Sequence, residues 1–248
     1  MELLRLRGVL ECRVWRRVNR FTVEVFVGRR KSRAYLNNTG RLEEFLIRGR
    51  KGYCLPGSGR LPYRLFAMEE GTHGSVVDTA LQARAFEEAL KRDSLPSLKG
   101  YRVRRRNLRT DGALLDYELV RNGKELVVEL KSAVLRLGEF ASYPDCPTQR
   151  GRKQLEELIR LSGEGRKVAL FFMTSLEGIR GILPNGRADP ALYHLMVKAR
   201  KAGVLMLGAN ILFQPESSSV ILLQPDLPVF LYPRTSVFST WPPQYLRA

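Results

Sequence analysis

Leu114-Leu115-Asp116-Tyr117-Glu118-Leu119-Val120-Arg121-Asn122-Gly123-Lys124-Glu125-Leu126-Val127-Val128-Glu129-Leu130-Lys131 reads as a β-hairpin. Asn-Gly between two alternating runs is a strong two-residue turn signal, because both central positions need positive φ. With that turn, cross-strand partners sum to 245. Leu119 then faces Leu126, Tyr117 faces Val128 and Leu115 faces Leu130, so one face is apolar, which supports the register. The same arithmetic sets Asp116 opposite Glu129. Lys131, two residues on, points to the same side.

Like charges directly opposite on paired strands repel. Two carboxylates brought together beside a lysine are a hard-oxygen donor set suited to Mg²⁺ or Mn²⁺, with substrate phosphates completing the shell. A metal there would polarise a phosphoryl oxygen and acidify a water. Lys131 is expected to orient or deprotonate that water, or to stabilise the charged transition state. The competing reading is an ordinary solvated face, since Glu118 and Glu125 share it.

Working outward, the chain changes character near Gly74. Before it, Gly8–Val14 and Phe21–Val27 alternate as half-buried strands, punctuated by turns at Gly28-Arg29-Arg30, Asn37–Gly40 and Pro56–Gly59. Several short strands within residues 1–66 fit a small OB-like β-barrel. After it, a helix capped by Asp78 or Thr79 is expected to run to about Arg92. Strands over 114–120 and 125–131 follow, then a helix over Gly151–Leu161, a buried strand over Lys167–Met173, a helix from Pro190 to about Ala202, and a strand over Val204–Phe213. This order predicts a mixed-sheet α/β domain over 67–224. Residues 225–248 carry five prolines and read as an irregular tail.

The composition agrees with two compact modules. The 248 residues are 44% hydrophobic and 27% charged, with no apolar run of the ~18 residues needed for a bilayer span. Neither a secretory leader nor a C-x-x-C pair is visible, and the three cysteines, Cys12, Cys54 and Cys146, are far apart. A reduced cytoplasmic setting is expected. Serine-protease triads, phosphate-binding P-loops and dinucleotide glycine fingerprints are missing, so no small-molecule cofactor is expected. His73 and His194 receive no role.

Charge points to a polyanion. Lys and Arg outnumber Asp and Glu 42 to 25, a net +17. Residues 1–66 hold 16 basic and 5 acidic residues, so the excess is concentrated there. Arginine predominates, which suits phosphate forks and base stacking. A solubility role, or a hot habitat, is the bland alternative. Arg13, Arg16, Arg17 and Arg20 interleave with Trp15 and Phe21 as OB-folds do when they hold single strands, although Phe21 reads better as barrel core. Thr148 is expected to cap the next helix, with Arg150 and Lys153 on one face, forming a phosphate cradle.

The order Arg16-Arg17-Val18-Asn19-Arg20-Phe21, Asn38-Thr39-Gly40, Asp116, Val128-Glu129-Leu130-Lys131 and Tyr143-Pro144-Asp145-Cys146-Pro147-Thr148-Gln149-Arg150-Gly151-Arg152-Lys153 resembles the sugar fermentation stimulation protein (SfsA) family over roughly residues 5–214. The resemblance implies an OB-like barrel followed by a PD-(D/E)xK nuclease-like domain, DNA binding, and a link to control of sugar-utilisation genes. It implies Asp116, Glu129 and Lys131 as the catalytic motif. Glu88, on the inward stripe of the preceding helix, would be a third metal ligand, with Glu87 as fallback. Gln154 stands where the family usually has histidine, and Ala113-Leu114 where it usually has Ser-Arg. Two other readings remain open: a non-catalytic DNA-binding regulator, and an RNA-binding or RNA-processing factor.

Overall fold

The computed structural model describes residues 1–231. Most of the expected Pro-rich tail, residues 232–248, lies outside the described residues. The chain runs β1 (Glu2–Arg5), β2 (Leu10–Asn19), β3 (Thr22–Val27), β4 (Arg30–Leu36), β5 (Lys51–Pro56), β6 (Tyr63–Glu70), β7 (His73–Val76) and α1 (Thr79–Lys91). It continues through β8 (Arg102–Arg109), β9 (Leu114–Arg121), β10 (Lys124–Ser132), β11 (Leu135–Leu137), β12 (Phe140–Ser142) and α2 (Gln149–Gly163). Last come β13 (Val168–Thr174), β14 (Gly181–Ile182), α3 (Pro190–Lys201), β15 (Leu205–Gln214) and β16 (Ser219–Gln224).

Strands β4-β3-β2-β5-β6 pair in that order, and a parallel β4–β6 contact closes them into a five-stranded OB barrel. Alternation along the strands puts Cys12, Val14, Val23, Val25, Ala34 and Leu65 inside. The β2–β5 pairing brings the Sγ atoms of Cys12 and Cys54 to 3.2 Å in this core, although 42 residues separate them in sequence.

Hydrogen bonding does not stop at the barrel. β6 pairs with β7, β7 with β15, and the sheet continues as β13-β10-β9-β8. The β10, β13 and β15 pairings are parallel and the flanking ones antiparallel, giving a mixed sheet. β13 is buried throughout, as expected of a strand covered on both faces. Ala169, Phe171 and Met173 pack with α1 residues such as Ala85, Phe86 and Leu90. Val168, Leu170 and Phe172 pack with Leu155 and Leu158 of α2 and Met196 of α3.

The first strand departs from its barrel neighbours. β1 pairs antiparallel with β16, so residues 2–5 belong to the edge of the α/β sheet. Leu3 and Leu6 are buried there, in the cluster that includes Val220 and Leu222. The described part of the tail is docked as well: Leu227 is buried and Val229 bridges to Ile182. Among the described residues, no helix is long and apolar enough to cross a membrane.

Candidate functional site

The hairpin forms in the expected register, with Lys124 opposite Arg121, Leu126 opposite Leu119 and Val128 opposite Tyr117. Asn122 and Gly123 both take positive φ, +49° and +74°. The backbone ladder ends at the Val128–Tyr117 pair. Beyond it the strands part, and Leu115 and Leu130 pack into different clusters instead of facing each other. Side-chain carboxylates take over the bonding at this point. Oδ2 of Asp116 accepts from the Leu130 N–H at 2.8 Å, and Oε2 of Glu129 accepts from the Asp116 N–H at 3.2 Å. The two acids are thus neighbours on one side of the sheet.

Lys131 completes the group. Its Nζ donates to Oε1 of Glu129 and to Oε1 of Gln154, both at 2.6 Å. Gln154, buried on α2, donates in turn to the Leu114 carbonyl at 2.9 Å, which ties the helix to β9. Glu129 is 2% exposed. Burial is the main force that pushes its carboxyl pKa up to about 7; Lys131 opposes the shift and Asp116 reinforces it. Burial disfavours the Lys131 ammonium, but the Glu129 charge and hydrogen bond, with help from Tyr143 and Asp116, outweigh it and raise the pKa. The lysine is therefore a cation and a donor at neutral pH, which disfavours the expected role as a base.

These residues lie in a cleft of about 730 Å³. The barrel contributes Phe21 and the Asn37–Gly40 turn, α1 contributes Thr79, Gln82 and Ala83, and the segment entering α2 contributes Tyr143, Asp145, Thr148, Arg150 and Gly151. Arg17 builds the barrel wall. Its guanidinium donates to the carbonyls of Asn19, Arg20, Asn38, Gly40 and Arg41. Asp145 docks against the same turn by accepting from the Leu42 N–H at 3.1 Å. A Cβ at position 40 would come within 2.5 Å of an Asp145 oxygen, so the close approach requires Gly40. Asp78, fully buried, caps α1 by accepting from the Leu81 N–H and receives a two-pronged ion pair from Arg64 of β6.

Several expected site residues stand elsewhere. Glu88 ion-pairs with Arg92 and lines a separate hollow with Arg84 and Lys91. Glu87 is held by Arg106 and by the Tyr117 hydroxyl. Glu87 is thus tied to Arg106 and Tyr117, which line the cleft, while neither Glu87 nor Glu88 is itself part of that lining. The polar α1 residues that line the cleft are Thr79 and Gln82; Gln82 stands six residues before Glu88, on another face of the helix.

The basic residues divide likewise. Arg17 is consumed by the turn, Arg16 pairs with Glu24 at 2.9 Å, and Arg13 donates to the Gly49 carbonyl. Arg20 is exposed and forms no ion pair among the described residues. Thr148 caps α2 through the Gly151 N–H at 3.1 Å, as its spacing predicts. Arg150 lines the cleft, and Lys153 lines an adjoining hollow with it. Phe21 corrects the reading as barrel core: it is 44% exposed at the β2–β3 turn and faces the cleft. Trp15 instead lies under the Arg48 guanidinium, 3.5 Å from its ring centre. Gln154, Gln82 and the Arg64–Asp78 pair had no local sequence signal, because each depends on contacts between distant elements.

Among the described residues, no three His, Cys, Asp or Glu side chains converge as a metal cluster. The pair Asp116–Glu129 still suits a small hard cation, which takes one or two carboxylates and keeps several waters. Oδ1 of Asp116 accepts no hydrogen bond from the described residues, which leaves it free to ligate.

Two family models match the chain: the SfsA N-terminal OB domain over residues 16–77, and the sugar fermentation stimulation protein RE domain over residues 80–217. A sugar fermentation stimulation protein homolog from Archaeoglobus fulgidus is 40% identical over 233 residues, covering 93% of this chain and 100% of the relative. Another from Pyrococcus furiosus is 40% identical over 205 residues, covering 82% and 89%. The solved structure of Pyrococcus furiosus SfsA in complex with Ca²⁺ is 37% identical, covers 93% of this chain and 99% of that one, and superposes with a TM-score of 0.89.

Proposed function

The chain belongs to the sugar fermentation stimulation protein family, and we propose that it is a cytoplasmic DNA-binding phosphodiesterase of PD-(D/E)xK type. The observation that carries this reading is the cross-bonded Asp116–Glu129 pair in the cleft, with Lys131 fixed beside it. The relative solved with Ca²⁺, another cation that seeks oxygen ligands, supports a divalent ion between the acids. Asp116 and Glu129 would hold Mg²⁺ or Mn²⁺. The ion supplies polarisation of a phosphoryl oxygen and a more acidic water.

The remaining work falls to the chain's own side chains. Lys131, oriented by Glu129 and Gln154, donates toward charge that develops on the phosphate. The Thr148-capped start of α2 and Arg150 position the strand's phosphates. The test is incubation of the purified protein with single- and double-stranded DNA and Mn²⁺. Cleavage that is lost in Asp116→Ala is expected; no cleavage by the wild type, or equal cleavage by the variant, rejects the reading.

A second reading, a regulator that binds DNA without cutting it, draws on the position of Glu88, which pairs with Arg92 in a separate hollow and adds no third acid to the pair. It predicts salt-sensitive binding that needs no metal and survives Lys131→Ala.

A further inference from the structure

Phe21 and Tyr35 form a stacked pair on the rim of the cleft. Their ring centres are 6.4 Å apart and their planes 21° from parallel. Both are open to solvent, Phe21 at 44% and Tyr35 at 39%, while most large apolar side chains of the barrel are buried. The main chain that carries Phe21 is anchored: the Phe21 N–H donates to Asn19 Oδ1 at 2.9 Å, and its carbonyl accepts from the Leu36 N–H at 3.0 Å. An exposed ring pair beside a polar cleft calls for a flat apolar partner.

The charges around the pair select the partner's class. Arg20 is adjacent in sequence and forms no ion pair among the described residues. Arg41 has only a long contact of 3.8 Å to Glu43. Both lie near enough to Cys146, which also lines the cleft, to act on its thiol electrostatically. Arg150 lies within similar reach of Glu129. Phe21, Arg150 and the paired acids line one cleft, and Arg20 and Arg41 stand beside it; together they match a base, its neighbouring phosphates and a scissile phosphate.

Stacking selects strandedness. A side-chain ring can lie on a base only where that base is unstacked, and a duplex keeps its base faces covered by their neighbours. Trp15 of β2 is capped by Arg48 and is not part of the cleft lining.

We infer that Phe21, backed by Tyr35, is a base-stacking platform that selects single-stranded DNA and delivers its backbone to Asp116 and Glu129. The inference rests on the nucleic-acid reading above and adds the substrate's form.

Fluorescence anisotropy in EDTA, where metal-dependent cleavage is blocked, tests it with a labelled oligothymidylate and a mixed-sequence duplex. Phe21→Ala is expected to weaken the oligothymidylate by at least about fivefold, the low end for loss of one stacked base, and the duplex by less than about twofold. Phe21→Trp is expected to restore binding. The side chain is exposed, so the truncation should leave the melting temperature in place. Equal weakening of both probes, or no weakening of the oligothymidylate, overturns the platform while leaving DNA binding intact. Binding of neither probe by the wild type overturns the DNA reading as well. Tighter binding of oligouridylate than of oligothymidylate overturns the assignment to DNA.

Discussion

Asp116 and Glu129 are each held by the other's strand: the aspartate accepts the amide that follows Glu129, and the glutamate accepts the amide of Asp116. Replacing two ladder bonds by carboxylates keeps the acids close despite their repulsion.

Asp116→Asn keeps an acceptor for the Leu130 N–H and removes one charge. The metal-free variant is expected to be more stable than wild type, by about 1 kcal/mol, because the repulsion on Glu129 is relieved. Asp116→Ala loses the acceptor too and should be less stable than Asp116→Asn. Thermal melts in EDTA check this order; a less stable asparagine variant would contradict the repulsive geometry.

Stability should fall as pH rises toward neutrality. Burial pushes Glu129 up to about 7, and burial with help from Glu70 pushes Glu44 up to about 7, against an ordinary value of 4.5. Between these values the folded protein holds more protons than the unfolded chain. The contribution is therefore full below about 4.5 and lost as pH passes 7, on the order of 3 kcal/mol per group at most. Urea midpoints of the metal-free protein at pH 5 and pH 8 measure the drop. Glu44→Gln and Glu129→Gln should each shrink it; an unchanged drop in both would exclude these carboxyls as its source.

Arg17 and Arg20 should behave oppositely although both are cations on the barrel. Arg17→Ala strips donors from the carbonyls of the Asn38–Arg41 turn, and is expected to destabilise the fold by about 1–3 kcal/mol. Lysine should not rescue it, since a point charge cannot replace the planar fork. Arg20→Ala and Arg150→Ala should leave stability nearly unchanged. Each should lower the slope of log affinity for single-stranded DNA against log salt by about 0.7 if it meets one phosphate.

Arg64→Ala should cost about 3 kcal/mol in chemical denaturation, because it leaves the Asp78 carboxylate buried and uncompensated. Asp78→Asn should cost less, since it retains a cap for the Leu81 N–H. Equal losses would indicate that leaving the carboxylate unpaired costs little beyond the loss of the ion pair itself.

Much of this molecule was legible in sequence where the signal is local. Alternation plus Asn122-Gly123 specifies the hairpin, its register and the meeting of the two acids. Thr148 and Asp78 announce their helices by cap chemistry. Glu88 lines a different hollow because helical spacing tells which residues share a stripe, not which neighbouring groups that stripe meets. Phe21 was misread because alternation does not continue through the β2–β3 turn. Gln154 meets Lys131 only once α2 docks on the sheet, and the 3.2 Å approach of Cys12 and Cys54 exists only after β2 pairs with β5.

The β1–β16 pairing acts as a clasp. The barrel's polypeptide starts inside the neighbouring sheet, and β7 stitches the same two regions together further along. A protease nick near Val77, where the two family models meet, would therefore leave both pieces interlocked as a single particle. For the same reason, a barrel cut out at that boundary would carry an orphaned first strand with its apolar Leu3 in water.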